Sequence, residues 1–292
     1  MFMQEDFFMD TLKVLRARPA LFFRLSGIRL ENFDDLVKRT HPQWLKKEHK
    51  RLSRKGRKRA IGAGRKYELD FPTQLLMCLI YYRTYTTHVF LGLVFDVSSP
   101  TVCRVNASMT HLLADHFRMP ERKVLLTEEE KDNLLYLMVD GTERPVQRSK
   151  KPVKRKENYS GKKKRHTTVH QIMTNNNKRI LAVGPAQKGS KHDKKIFDQS
   201  RVVKPPDMMV LGDLGYLGTN FEIPLKKPKK KKLSKEDKAY NRWHSGLRVG
   251  VEHAIGRMKK FRIFADIHRG NDLQNMIAKN VGALANINLE TA

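Results

Sequence analysis

Leu134–Val146 reads LLYLMVDGTERPV, and the fold turns on it. Leu134–Val139 runs without a charge and stops at Asp140. A run this short with a glycine just behind it is the pattern of a buried strand. Thr142–Val146 resumes strand-type residues, so the segment predicts two strands with Gly141 between them and the aspartate ending the first. The device recurs, because Met208–Gly212 (MMVLG) runs into Asp213. A third carboxylate, Glu252, lies in the helically spaced stretch RVGVEHAIGRMKKF. Side by side, such groups repel and are costly to ionise. They become sensible with divalent cations among them, since oxygen ligands suit Mg²⁺ or Mn²⁺. Two ions roughly 3.5–4 Å apart would activate a water or a 3′-hydroxyl and stabilise the leaving oxygen of a phosphodiester.

Between the two aspartates, Thr167–Met173 and Arg179–Val183 predict two more strands, with Asn175-Asn176-Asn177 as a hairpin turn. Ser190-Lys191-His192-Asp193 opens a helix through Ile196 and Phe197, and Met208–Leu211 is a fourth strand. Three antiparallel-capable strands, a helix, a buried strand and then helices match the ribonuclease H-like order. In that α/β fold the first and fourth strands are neighbours, so Asp140 and Asp213 can meet. On the glutamate helix, Arg248, Glu252, Gly256 and Lys259 share one stripe, beside an apolar stripe of Val251, Ile255 and Met258. The polar stripe has two readings. It is either an exposed ladder, with an Arg248–Glu252 pair worth about 0.2–0.5 kcal/mol, or the place where a metal-bound phosphate backbone is held.

The chain has 292 residues, enough for two domains, and 59 Lys+Arg against 30 Asp+Glu give a formal charge of +29. The excess is concentrated in Lys46–Arg59, Arg148–Arg165 and Lys226–Lys232. Three such runs point to a polyanion whose condensed counterions they displace, most simply nucleic acid. In the second run, Lys150, Lys151, Lys154, Arg155, Lys163 and Arg165 are the expected DNA contacts. A membrane surface is the rival, but the sequence has no amphipathic basic helix, signal peptide or apolar span near twenty residues. The acidic start MFMQEDFFMD is too short for a targeting segment. Two cysteines, Cys78 and Cys103, exclude a zinc ribbon or a disulfide framework and fit a reducing cytosol. The expected location is cytoplasmic, with the nucleoid if the source is bacterial.

Met9–Arg16 and Leu30–Val37 show helical spacing, broken at His41-Pro42, and the basic segment 46–66 predicts a flexible arm. Residues 70–117 read as a helix-turn-helix. Pro72 opens a helix with Leu75, Leu76, Leu79 and Ile80 on its apolar side, and Thr86–Phe95 forms the second. Asp96-Val97-Ser98 is a tight turn, and Ser99 is an N-cap with Pro100 at the first helical position. In the third helix Val102, Val105, Met109 and Leu112 share one face, while Thr101, Arg104, Ala107 and His111 share the other. That second face suits major-groove contact, with Thr101 and Arg104 as the expected contacts. A three-helix packing unit without DNA contact explains the same pattern. Met119 to Leu126 is a linker, and Thr127-Glu128-Glu129-Glu130 is a capping box for a short helix. The expected domains are 1–66 (helices and arm), 67–118 (helix-turn-helix), 119–133 (linker and short helix) and 134–292 (catalytic).

VDGTE at 139–143, GSKHDKKIF at 189–197, LGDLGYLG at 211–218 and RVGVEHAIGRMKKFRIF at 248–264 follow one another behind the helix-turn-helix. Taken together they resemble the DDE transposases of bacterial insertion-sequence type, related to the PIF/Harbinger superfamily. The resemblance implies that Asp140, Asp213 and Glu252 are the catalytic, metal-binding triad. It implies two Mg²⁺ ions, for which Mn²⁺ substitutes. It also implies double-stranded DNA as partner, both terminal inverted repeats and target, with cleavage at the repeats followed by strand transfer. Synapsis of two ends implies at least a homodimer. Arg248 and Lys259 match the basic positions of the related YREK signature and are expected DNA contacts, whereas Ser245 stands where that signature has tyrosine. His192-Asp193 matches a recurrent pair, read first as helix N-terminal structure and then as a support of the active site. The 39 residues from Asp213 to Glu252 leave no room for a large insertion domain. Two alternatives remain: a domesticated DNA-binding protein that no longer cuts, and a nuclease of the same fold without strand transfer.

Overall fold

The computed structural model describes residues 10–53, 56, 60–61, 63, 67–124, 133–200, 202–203, 208–229, 232–270 and 273–290. The capping-box helix expected at Thr127–Glu130 lies outside the described residues. The chain forms two compact units, one reaching to Phe117 and including Phe261–Ile263, the other holding Arg118–Lys260 and the rest.

The first unit is all helical: α1 (Thr11–Arg16), α2 (Pro19–Ser26), α3 (Leu30–Leu52), α4 (Phe71–Thr84), α5 (His88–Phe95) and α6 (Ser99–Phe117). Its core packs Phe22 edge-on against Phe33 and buries Leu75, Leu76, Leu79, Leu91, Val102 and Met109. Inside this unit, Tyr82 donates to Thr110 Oγ1 at 2.9 Å. Three expectations are corrected here. Helix α3 does not break at Pro42 but runs through it to Leu52. The carbonyl that Pro42 leaves without a donor belongs to Lys38, an exposed residue open to water, and His41 and Trp44 stack on Phe71 to hold the helix. Lys46–Leu52 is therefore helix and not a flexible arm, with Lys47 paired to Asp115 at 2.7 Å. The cap of α6 is Ser98 and not Ser99: Ser98 Oγ accepts from Thr101 N and Ser98 O from Val102 N, which sets Pro100 one residue deeper. The preceding turn needs Gly92, where any Cβ would strike the Val97 carbonyl.

The second unit is a mixed sheet flanked by helices. Its elements are β1 (Leu137–Pro145), α7 (Pro152–Glu157), β2 (Tyr159–Ser160), β3 (Arg165–Asn175), β4 (Ile180–Val183), β5 (Gln187–Lys188), α8 (Asp193–Ser200), β6 (Val210–Leu211), a 3-10 turn at Leu214–Tyr216, α9 (Lys235–Lys259), α10 (Arg262–Ala265, whose first two residues belong to the first unit) and α11 (Gln274–Glu290). The sheet order is β2-β3-β1-β6, with β4 and β5 also on β3. β1 pairs antiparallel with β3 along its whole length and parallel with β6, so the first and fourth predicted strands are neighbours. Leu134–Val139 and Thr142–Val146 are not two strands: Gly141 stays in register opposite Gln171, and Asp140 sits in mid-strand.

Alternation along β1 sends Leu137 and Val139 into a core with Met173, Val210, Tyr216 and Phe221. Met138 and Asp140 face the other side, where α9 packs. Gly250 permits that approach, since a Cβ there would meet Met138 Cε at 2.8 Å. Val251, Ile255 and Met258 are buried beneath α9, and Asn286 of α11 ties off β4 through both backbone groups of Ile180. Among the described residues no helix is long and apolar enough to cross a membrane.

Candidate active site

Three elements bring acidic side chains to one end of the β1–β6 pair. Asp140 comes from the middle of β1, and its Oδ1 accepts from Gly141 N at 2.9 Å. Asp213 follows β6 and caps the 3-10 turn, accepting from Gly215 N at 2.8 Å. Glu252 projects from the exposed side of α9. Arg248, one turn earlier, donates to Asp140 Oδ2 at 3.1 Å and to Glu252 Oε1 at 3.3 Å. Burial raises the Asp140 pKa, Arg248 pulls it back, and Asp213 and Glu252 push it up again. Asp140 therefore feels both of the other carboxylates, which their separation along the chain does not show.

A fourth carboxylate joins them. Asp193, at the start of α8, lies on the side of β1 away from α9. Its Oδ1 fills the place of a Gly141 side chain, and its Oδ2 comes within 3.3 Å of where a Gly215 Cβ would stand. Its pKa rises to about 6, first through burial and then through Asp213 and Asp140, against the pull of Lys162. His192 is exposed and contributes its carbonyl, at 3.1 Å from Ile196 N, to the first turn of α8. Beneath the site Gln171 donates to the Asp193 carbonyl and to Tyr216 Oη, whose pKa is pushed up by burial and by Asp193, Asp140 and Asp213.

Cations rim this acidic centre. Lys259, exposed on α9, has its pKa lowered by partial desolvation and then by Lys163 and Arg165, while Asp140 and Glu143 oppose the shift. Lys163, Arg165, Arg248 and Lys259 thus gather at the site. Lys150 and Lys151 precede α7, and Lys154 and Arg155 lie on it; Lys162 is the basic-run residue that acts on Asp193. Thr101 and Arg104 belong to the helical unit, where Arg104 donates to Thr101 Oγ1 at 3.2 Å and Thr101 shares a hydrogen bond with Ser98. Ser245 is exposed on α9. Sequence reasoning passed over Glu143, which accepts from Thr167 Oγ1 at 2.7 Å, and over Gln171 and Tyr216.

Among the described residues no three His, Cys, Asp or Glu side chains converge tightly enough, as they stand, to hold a metal ion. The donor chemistry nevertheless fits a hard divalent cation. The candidate ligands are carboxylate oxygens alone, the donors such a cation takes.

Comparison with known proteins gives the family. Residues 139–287 match the family described as DDE superfamily endonuclease, and residues 67–118 match the helix-turn-helix of DDE superfamily endonuclease. The chain is 33% identical over 268 residues to a protein of Microchaete diplosiphon assigned as transposase for insertion sequence element IS702, covering 89% of this chain and 90% of that one. It is 28% identical over 216 residues to a protein of Streptomyces albus G assigned as transposase for element IS112, covering 73% and 78%. No solved structure matches.

Proposed function

The chain belongs to the DDE superfamily endonucleases, a ribonuclease H-like family that uses divalent metal ions, and is a DNA transposase; we propose that Asp140, Asp213 and Glu252 are its catalytic carboxylates. The observation that carries this reading is that Arg248 bridges Asp140 and Glu252 while Asp213 follows the strand paired in parallel with β1, so three separate elements meet. Asp140, Asp213 and Glu252 would hold the divalent ions, two Mg²⁺ in this reading, for which Mn²⁺ would substitute. When bound, the ions activate the attacking oxygen and stabilise the leaving one.

The protein's own groups do the rest. Lys163, Arg165 and Lys259 draw the phosphate backbone toward the carboxylates, and the face of α6 bearing Thr101 and Arg104 selects the terminal inverted repeat. Water attacks phosphorus at the element end and the 3′-oxygen leaves. That 3′-hydroxyl then attacks a target phosphorus in line and displaces the target's own 3′-oxygen. No protein nucleophile is needed. Pairing of two ends calls for at least a dimer, working on DNA in the cytoplasm. The test is strand transfer with pre-cleaved terminal repeats, with and without EDTA. Joined product that requires Mg²⁺ or Mn²⁺ is expected. Cleavage without joining would make the protein a nuclease only, and binding without either would make it a DNA-binding protein.

A further inference from the structure

Two arginines in this protein contact carboxylates in different ways. Arg16, in the helical unit, spends both terminal nitrogens on the single carboxylate of Asp34, at 3.1 and 2.5 Å. That two-pronged pairing is how a guanidinium serves as a structural partner. Arg248 instead divides its nitrogens between Asp140 and Glu252, at 3.1 and 3.3 Å. Its remaining donor, Nε, is buried with no hydrogen-bond partner among the described residues. Arg248 is therefore held by charge between two acidic groups, with incomplete hydrogen bonding of its own.

The surroundings explain why a cation stands there. Asp140 is crowded by Asp213 and Glu252, and Arg248 and the Gly141 N–H relieve that repulsion, with Lys259 also within electrostatic reach. With Oδ1 accepting from Gly141 and Oδ2 from Arg248, both oxygens of Asp140 are engaged. An incoming divalent ion meets an occupied carboxylate and a like charge beside it.

Resting on the assignment of Asp140 and Glu252 as metal ligands, we infer that Arg248 is the resident cation of the metal-free site. It holds Asp140 and Glu252 together until a divalent ion displaces it, so metal loading and release of Arg248 are one event. Arg248 is in this sense a positioning residue whose contact with Asp140 restrains the empty enzyme.

The experiment is a Mn²⁺ titration of the full-length protein without DNA, followed by the electron paramagnetic resonance signal of free Mn²⁺. Removing the competing charge in Arg248→Gln should tighten Mn²⁺ binding by about tenfold, the factor that corresponds to about 1.4 kcal/mol. Arg248→Lys should fall between, since an ammonium keeps the charge but lacks the fork that spans two carboxylates. Adding Asp140→Asn to Arg248→Gln should abolish the gain. Mn²⁺ should also raise the melting temperature of Arg248→Gln more than that of the parent, a readout that needs no catalysis and reports folding at the same time. Mn²⁺ binding by Arg248→Gln that equals or falls below the parent's overturns the displacement and leaves the metal ligands in place. No Mn²⁺ bound by either protein overturns the ligand assignment and the displacement together.

Discussion

Helices α6 and α9 are built to one pattern and end in opposite circumstances. Each buries an apolar stripe, Val102, Val105, Met109 and Leu112 in α6 and Val251, Ile255 and Met258 in α9. Each carries a polar stripe beside it. In α6 that stripe answers only to near neighbours, Arg104 to Thr101 and Thr101 to Ser98. In α9 Arg248 reaches Asp140, 108 residues away in the chain. The cause lies in what each helix packs against. Gly250 lets α9 settle onto Met138, which brings the next side chain on that face of β1, Asp140, within reach of Arg248. Amphipathic spacing marks both helices equally; the partner opposite the polar face separates a surface that stays open for a ligand from one that becomes part of a site.

The largest effect expected is on the closed face. Asp140→Ala, Asp213→Ala or Glu252→Ala should each lower cleavage and strand transfer together by at least about 10³-fold, because one ligand set serves both displacements. Folding and DNA binding should persist in all three, by circular dichroism and gel shift. Full strand transfer by Glu252→Ala would remove α9 from the chemistry and erase the contrast with α6.

On the open face, Arg104→Ala should cost about 1–3 kcal/mol of discrimination between terminal-repeat and random DNA per lost base contact. Non-specific binding should change little. An unchanged footprint on the terminal repeat would make α6 a packing helix and leave α9 as the functional one of the pair.

Acid should separate the two units. Burial holds His170 near a pKa of about 4 and His268 near about 3, with Arg144 adding to both shifts. The unfolded chain binds more protons than the folded one between those values and about 6.5, so stability is present above that range and is lost as pH falls through it. Allowing for solvent around His268, the pair should cost about 2 kcal/mol between pH 6.5 and 5, and protonation of Asp193, raised to about 6 in the same unit, should offset about half of that, leaving a net loss of about 1 kcal/mol. The chain has two tryptophans, Trp44 in the helical unit and Trp243 in the sheet unit. Single-tryptophan variants can follow each unit alone, and the Trp243 transition should move further with acid. Equal movement of both would show that the units unfold as one.

The smallest effect concerns the cationic rim. Neutralising Lys163 or Lys259 should lower the slope of log affinity against log salt by about 0.9 for each phosphate contact removed. Neutral changes at Lys154 should act the same way on the slope without touching strand transfer. A loss of joining from Lys154 variants would extend the rim to α7.

Much of this was legible residue by residue. The buried stripes of α6 and α9 and the Asn175–Asn177 hairpin follow from periodicity and turn chemistry, which act over a few residues, and the pairing of the first and fourth strands from the likeness of the element order to the ribonuclease H-like fold. The errors share a cause. Pro42 was read as a helix breaker, yet aromatic packing on Phe71 carries α3 past it. Gly141 was read as a gap between strands, yet its missing side chain admits the Asp193 carboxylate while the ladder to β3 stays intact. Glu143, Gln171 and Tyr216 carried no local signal, because their importance lies in what faces them.

Charge distribution, apolar runs ending in aspartate, and helical spacing around Glu252 were enough to mark the elements, the class of partner and the three candidate carboxylates. Tertiary structure alone decided that Asp140 answers to Arg248, that Asp193 joins from the other side of β1, and that Lys163 and Arg165 gather at Lys259. Periodicity records whether each side chain meets water or the core, one position at a time. Coulomb coupling depends on the distance between atoms whose residues stand far apart in the chain, and only packing sets that distance.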